Sequence, residues 1–188
     1  MVVLKIDLEI LKKWTIDSLG YIEEKNCDAL ILGGFSGSVI ELLGRFMRLH
    51  PIKEYPNCFG DFLEKYLPKY SPFKNILYGI LRCEGSHAVL AQSGVSLTCA
   101  ENMKALHLKG HYDPKKNRKS LIIYSPEFMD DLKVAVFKFF SDVKMNPDLE
   151  KKCQETFIEI YNNGQKIIDQ EIEKKRFNIE YKGEMTRG

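Results

Sequence analysis

At 188 residues, with 44% hydrophobic and 29% charged positions, the chain is long enough to build a hydrophobic core without disulfide or metal staples. Its formal net charge of +2 excludes a polycation, so any affinity for nucleic acid has to rest on a local patch. The five cysteines, Cys27, Cys58, Cys83, Cys99 and Cys153, form no CxxC pair, which fits reduced thiols in a cytoplasm better than a disulfide framework or a zinc site.

The N-terminal "MVVLKIDLEILKKW" mixes charges into its apolar positions and does not read as a signal peptide. The uncharged run from Ala29 to Ile40 is far short of the ~20 residues a bilayer crossing needs. The expectation is a soluble cytoplasmic domain with no membrane partner.

In chain order, Asp7 can cap a first helix over 7–25, with Leu8, Leu11, Thr15, Leu19 and Ile22 on one face. A second helix is predicted over 27–48, and the two prolines of "LHPIKEYPN" then interrupt the pattern. "CFGDFLEKYL" reads as a short third helix closed by Pro68 and Pro72, and a fourth begins near Phe73. "MKALHLK" and "KSLIIYS", joined by "GHYDPKKNR", read as a β-hairpin inserted over about 103–124. Ser125 can cap the next helix, with Pro126 at its first position and Glu127, Asp130 and Asp131 at its positive end. Phe128, Leu132, Ala135, Phe139 and Val143 supply that helix's buried stripe. Asn146 and Pro147 start a last helix whose face holds Cys153, Phe157, Ile160, Tyr161, Ile167 and Ile168, with "NNG" at 162–164 as a kink or stop. A charged tail follows from about 169. The predicted fold is a single all-α bundle of four to six helices carrying a small β-hairpin.

Three groups of residues invite chemistry. "GGFSGS", Gly33 to Ser38, lacks the Lys-Ser/Thr of a P-loop. The four-residue spacing of Gly33 and Gly37 instead makes a flat strip for close packing. His107 and His111 have the i, i+4 spacing of a metal pair on a helix, but Gly110 separates them and no zincin glutamate is present. Structural or surface histidines are expected there, with a zinc hydrolase as a third functional reading. The loop "KGHYDPKKNRK" brings Lys115, Lys116, Arg118 and Lys119 together with Tyr112. Such a set can neutralise phosphates and stack a base of single-stranded RNA, although most basic loops are simply solvated.

The remaining group lies in "LYGILRCEGSHAVL", Leu77 to Leu90, where Arg82 and His87 are separated by four residues. This spacing matches the Arg-x4-6-His signature of the HEPN superfamily. "LYGILRCEGSHA" resembles the LY-x-x-x-R-C-G-x-x-H segment of bacterial proteins of that type. "FLEKYLPKY" and "LIIYSPEFMDDLKVAV" are similar to flanking segments of the same group, so the resemblance spans about Phe59 to Phe140. It implies a helical bundle, a homodimer in which the Arg and His of both subunits meet in one cleft, and metal-independent cleavage of RNA with no cofactor. Many members are toxins or defence effectors, and an antitoxin or regulatory protein is then a further partner. Cys83 and Glu84 depart from the pattern, with the glycine displaced to Gly85. Members that only bind RNA or scaffold a protein supply the alternative.

The residue chemistry agrees with that implication. A histidine with an ordinary pKa of ~6.5 can take or give a proton near neutrality. An arginine presents a fixed fork of donors to phosphate oxygens. His87 is thus the expected general acid or base and Arg82 the phosphate stabiliser, with Ser86 orienting the phosphate and Glu84 holding one of the two side chains. Five helical steps leave Arg82 and His87 about 140° apart around an axis. They converge only by bending of the arginine stem, a distortion at Gly85, or completion of the site by a second subunit.

Overall fold

The computed structural model describes residues 7–24, 29–47, 55–79, 81, 94–115 and 117–173. These are mostly helical: α1 (Leu8–Glu24), α2 (Ala29–Met47), α3 (Tyr55–Tyr66), the short α4 (Lys74–Tyr78), α5 (Ser125–Met145) and α6 (Pro147–Glu173). Between α4 and α5 lies a three-stranded sheet of β1 (Val95–Thr98), β2 (Gly110–Asp113) and β3 (Arg118–Tyr124). Among the described residues no helix is long and apolar enough to cross a membrane.

The helix starts follow local chemistry. Asp7 Oδ1 accepts the amides of Glu9 and Ile10 at 2.9 and 3.2 Å, and Asn146 Oδ1 accepts those of Asp148 and Leu149, both at 3.1 Å. Each satisfies two of the amides that a helix start leaves without partners. Ser125 does not cap α5: the helix already includes it, Tyr124 holds the cap position in extended conformation, and Ser125 is buried. The last strand residue passes directly into the helix, so Pro126 and Glu127 alone supply the favourable first turn.

The predicted α5 stripe of Phe128, Leu132, Ala135, Phe139 and Val143 is buried throughout. Phe139 stands 6.1 Å from Phe62 and 5.6 Å from Tyr66 between ring centroids, the latter pair edge-to-face, a favourable aromatic geometry. Tyr66 reaches the surface with its hydroxyl, which donates to Asp142 at 2.9 Å. α2 is the central element, packing against α3, α6, α1 and α5 and touching β1. Its glycines permit this. A Cβ on Gly37 would collide with the Leu81 carbonyl, one on Gly44 with the Cys58 carbonyl, and one on Gly33 would press on Leu97 and Leu81 at 3.2 and 3.4 Å. The packing reading of "GGFSGS" therefore stands, with the close neighbours being the chain at Leu81 and strand β1.

α6 runs through Asn162–Gly164 without ending and reaches Glu173, past the expected start of the tail. Its predicted face is buried only in its first half. Cys153 is buried and Phe157 and Ile160 pack on the core, while Tyr161, Ile167 and Ile168 are exposed.

The β insertion differs from the predicted hairpin. "MKALHLK" is not a strand: Glu101–Leu106 form a 3-10 helix, and Leu108 adopts positive φ (57°) in the turn that follows. The hairpin is instead β2 and β3, paired antiparallel from Gly110↔Leu121 to Asp113↔Arg118. Strand β1, which periodicity did not reveal, lies parallel on the other edge of β3, from Val95↔Leu121 to Thr98↔Tyr124. β3 is thus the central strand, and its run Leu121–Tyr124 is buried, as a strand covered on both faces reads.

Candidate functional site

Arg82, Glu84, Ser86 and His87 lie outside the described residues. The chain on either side of them is anchored. Leu81, one residue before Arg82, is fully buried and seated on the Gly37 notch of α2. Val95, eight residues after His87, is 1% exposed at the start of β1.

Of the predicted RNA-contacting set, Lys116 also lies outside the described residues. The others sit on the β2–β3 hairpin, which separates them. In an antiparallel pair, residues that face each other share one side of the sheet and the next pair takes the opposite side. Tyr112 pairs with Lys119, while Asp113 pairs with Arg118 and His111 with Ser120. Tyr112 and Lys119 thus share one face, with Tyr112 51% exposed, its hydroxyl donating to Asn117 Oδ1 at 2.9 Å. Arg118 belongs to the other face, in a recess of about 170 Å³ lined by Ser96, Met103, His111, Asp113, Arg118, Ser120 and Ile122. Lys115 stands in the connecting turn, where its amide donates to Asp113 Oδ1 at 2.9 Å. Among the described residues, the basic side chains of the hairpin are divided between its two faces.

His107 and His111 likewise part company. His111 lines that recess. His107 enters a polar network that the sequence did not announce, formed where the turn after α3, the turn before β2, the end of β3 and the start of α5 meet. Tyr124 N–H donates to His107 Nδ1 at 3.0 Å. With Nδ1 accepting, the neutral ring carries its proton on Nε2. Nε2 lies 3.1 Å from Tyr70 Oη, and Tyr70 donates in turn to Asp131 Oδ2 at 2.7 Å. Lys69 Nζ closes the set at 2.7 Å from both Glu127 Oε1 and Asp131 Oδ2. Hydrogen-bond donation thus runs from imidazole to phenol to carboxylate.

The charges behave accordingly. Burial holds the His107 pKa below its ordinary value, although Glu127 nearby pulls the other way. Burial also tends to lower Lys69, yet its hydrogen bonds to Asp131 and Glu127 leave it raised. The Lys69 hydrogen bond lowers Glu127. Burial, then the bond to Asp131, raises Tyr70. Beside this group, Tyr124 donates its hydroxyl to Glu101, which, with burial second, pushes the phenol up to about 12.

Among the described residues, His107, Glu127 and Asp131 form a group whose ligand atoms all lie within 4.8 Å of one another. They do not suit a metal ion. A ligating imidazole offers a lone pair, but Nδ1 spends its lone pair on the Tyr124 amide and Nε2 carries the hydrogen. The Lys69 ammonium also already stands between the two carboxylates. The two histidines serve different surroundings, and His107 makes structural hydrogen bonds through both ring nitrogens. The i, i+4 spacing of Glu127 and Asp131 was the one available signal, and it reads equally well as helix-start acidity. No family model, curated protein or solved structure matches the chain.

Proposed function

We propose that this protein is a metal-independent endoribonuclease of HEPN type, acting as a homodimer in the cytoplasm, in a toxin or defence role. The observation that carries the reading is the Arg82–His87 pair within "LYGILRCEGSHA". It is supported by the mostly helical architecture with a small inserted sheet and by the burial of Leu81 immediately before Arg82.

In this mechanism the ribose 2′-oxygen attacks phosphorus and the bond to the 5′-oxygen breaks, leaving a 2′,3′-cyclic phosphate and a 5′-hydroxyl. His87 takes the 2′-hydroxyl proton or delivers one to the leaving oxygen. Arg82 stabilises the charge that builds on the phosphoryl oxygens. Ser86 orients the phosphate, and Glu84 holds the imidazole or the guanidinium. Two subunits across a two-fold axis bring the pairs into one cleft. The Tyr112–Lys119 face offers one ring and one cation to the strand, with Lys115 and Lys116 as further phosphate contacts and Arg118 meeting a phosphate from the hairpin's other face.

The test is incubation of wild type and His87→Ala with total RNA, with an oligomer bearing 2′-deoxyribose at the scissile position, and with EDTA. Cleavage by wild type alone, blocked by the 2′-deoxy sugar and indifferent to EDTA, is expected. Cutting of all-DNA substrate, or loss of activity on chelation, refutes the mechanism. The exposed Tyr112–Lys119 face also favours a second reading, a non-catalytic RNA-binding or scaffolding protein. That reading predicts salt-sensitive binding without cleavage at any protein concentration.

A further inference from the structure

The recess beside Arg118 is built by the register of the sheet. Ser96 on β1 stands opposite Ile122 on β3, while His111 and Asp113 on β2 stand opposite Ser120 and Arg118. Paired residues share a side of the sheet. These side chains therefore project from one face, opposite to the face that Val95, Leu121 and Ile123 turn to the core. Ser120 lies at the centre. His111 is directly across from it, at a Cβ spacing of ~4.5–5.5 Å. Ser96 is diagonal to it on the other neighbouring strand, and Arg118 is two residues along the same strand. Met103 and Ile122 add an apolar wall.

Among the described residues, the side chains of Ser96, His111 and Ser120 make no hydrogen bond to the protein, although all three are half-buried. Their polar atoms are not sealed from solvent. Each can donate, through a hydroxyl or through the ring nitrogen that carries hydrogen. Arg118 adds a permanent positive charge and five N–H donors, so a partner on one edge leaves others for a ligand. Asp113 is the carboxylate in the lining, and its Oδ1 already accepts the Lys115 amide. A cation would meet the guanidinium, and an apolar ligand would leave the hydroxyls and the imidazole unpaired. An anion meets four donor side chains. The volume of about 170 Å³ is below the ~300–1,000 Å³ of drug-sized pockets, so the recess takes a small group and not a whole nucleotide. A phosphate monoester fits both features. It brings three unbridged oxygens and a charge of ~−1.5 to −2 near neutrality, whereas an internal phosphodiester brings two such oxygens and a single charge.

We propose that this recess holds the terminal phosphate of an RNA strand through Ser96, His111, Ser120 and Arg118. The proposal rests on the RNA reading above for its ligand and does not require cleavage. The test is anisotropy of the full chain carrying His87→Ala with one internally labelled single strand. The strand bears a 5′-phosphate, a 3′-phosphate or hydroxyls at both ends, and inorganic phosphate is titrated calorimetrically in parallel. A phosphorylated end should bind at least about fivefold more tightly than the hydroxyl strand, and excess inorganic phosphate should abolish the difference. Ser96→Ala combined with Ser120→Ala should remove that advantage and leave the affinity of the hydroxyl strand unchanged. Equal affinity with and without a terminal phosphate overturns the proposal, as does an advantage that survives in the folded double variant. If that variant does not fold, Arg118→Gln takes its place. If no strand binds, inorganic phosphate decides. Saturable binding that the double variant loses keeps the recess as a phosphate site and removes the RNA reading, and absence of binding overturns both.

Discussion

His107 turns from a candidate metal ligand into a fixed hydrogen-bonding residue because of a single backbone amide. Tyr124 N–H claims Nδ1, so a second proton on the ring would set donor against donor. The unfolded chain, with an ordinary histidine near ~6.5, takes up that proton more readily than the fold, where burial depresses the pKa. The stabilising contribution is complete above about pH 6.5 and is lost as pH falls through the lower folded value. Glu127 is also lowered, but its contribution fades only below the ordinary carboxylate range, so the two windows separate. Thermal melts between pH 7.5 and 5.5 should show the melting temperature falling in wild type and falling less in His107→Gln, which can keep both hydrogen bonds without titrating. Tyr70→Phe removes both the acceptor for His107 and the donor to Asp131. It should cost about 1–3 kcal/mol in urea unfolding.

Among the elements, α2 sets the positions of its neighbours through what it lacks. The Gly37 notch admits the Leu81 backbone, so Gly37→Ala has to move that chain or α2 itself. About 1–3 kcal/mol of destabilisation is expected, read by denaturant unfolding. If the nuclease reading holds, activity should fall further than stability does, because Arg82 is the next residue. α5 is held chiefly by its aromatic stripe. Phe139→Ala should cost about 3–5 kcal/mol, while Asn146→Ala, at the α6 cap, should cost only about 1 kcal/mol. The hairpin makes a different prediction, since its two faces can be separated. If the RNA reading holds, Tyr112→Ala with Lys119→Gln weakens binding of a labelled single strand and flattens its salt dependence, measured by anisotropy.

For the molecule as a whole, the charge distribution matters more than its sum. A net charge of +2 coexists with basic side chains gathered on the hairpin. The dimer expected from the HEPN resemblance predicts a concentration-dependent mass in sedimentation. It also predicts partial rescue when Arg82→Ala and His87→Ala chains are mixed, because one intact pair can then form across the two-fold axis.

Helices with a clear 3.6-residue stripe and a polar cap were legible from residues alone. α5's buried face, the Asp7 and Asn146 caps and the close packing at Gly33 and Gly37 all follow from local spacing and hydrogen-bonding chemistry. The Arg82–His87 motif is likewise a property of the sequence. Strand β1 was not legible, because four residues carry too little periodicity and their partner is more than twenty positions away. Nor could spacing show that Tyr112 shares a face with Lys119 and not with Arg118, which the register of β2 against β3 decides. The Tyr70–His107–Asp131 relay draws on segments up to 61 residues apart. Only the packing of helix starts and turns around one core could bring those side chains together.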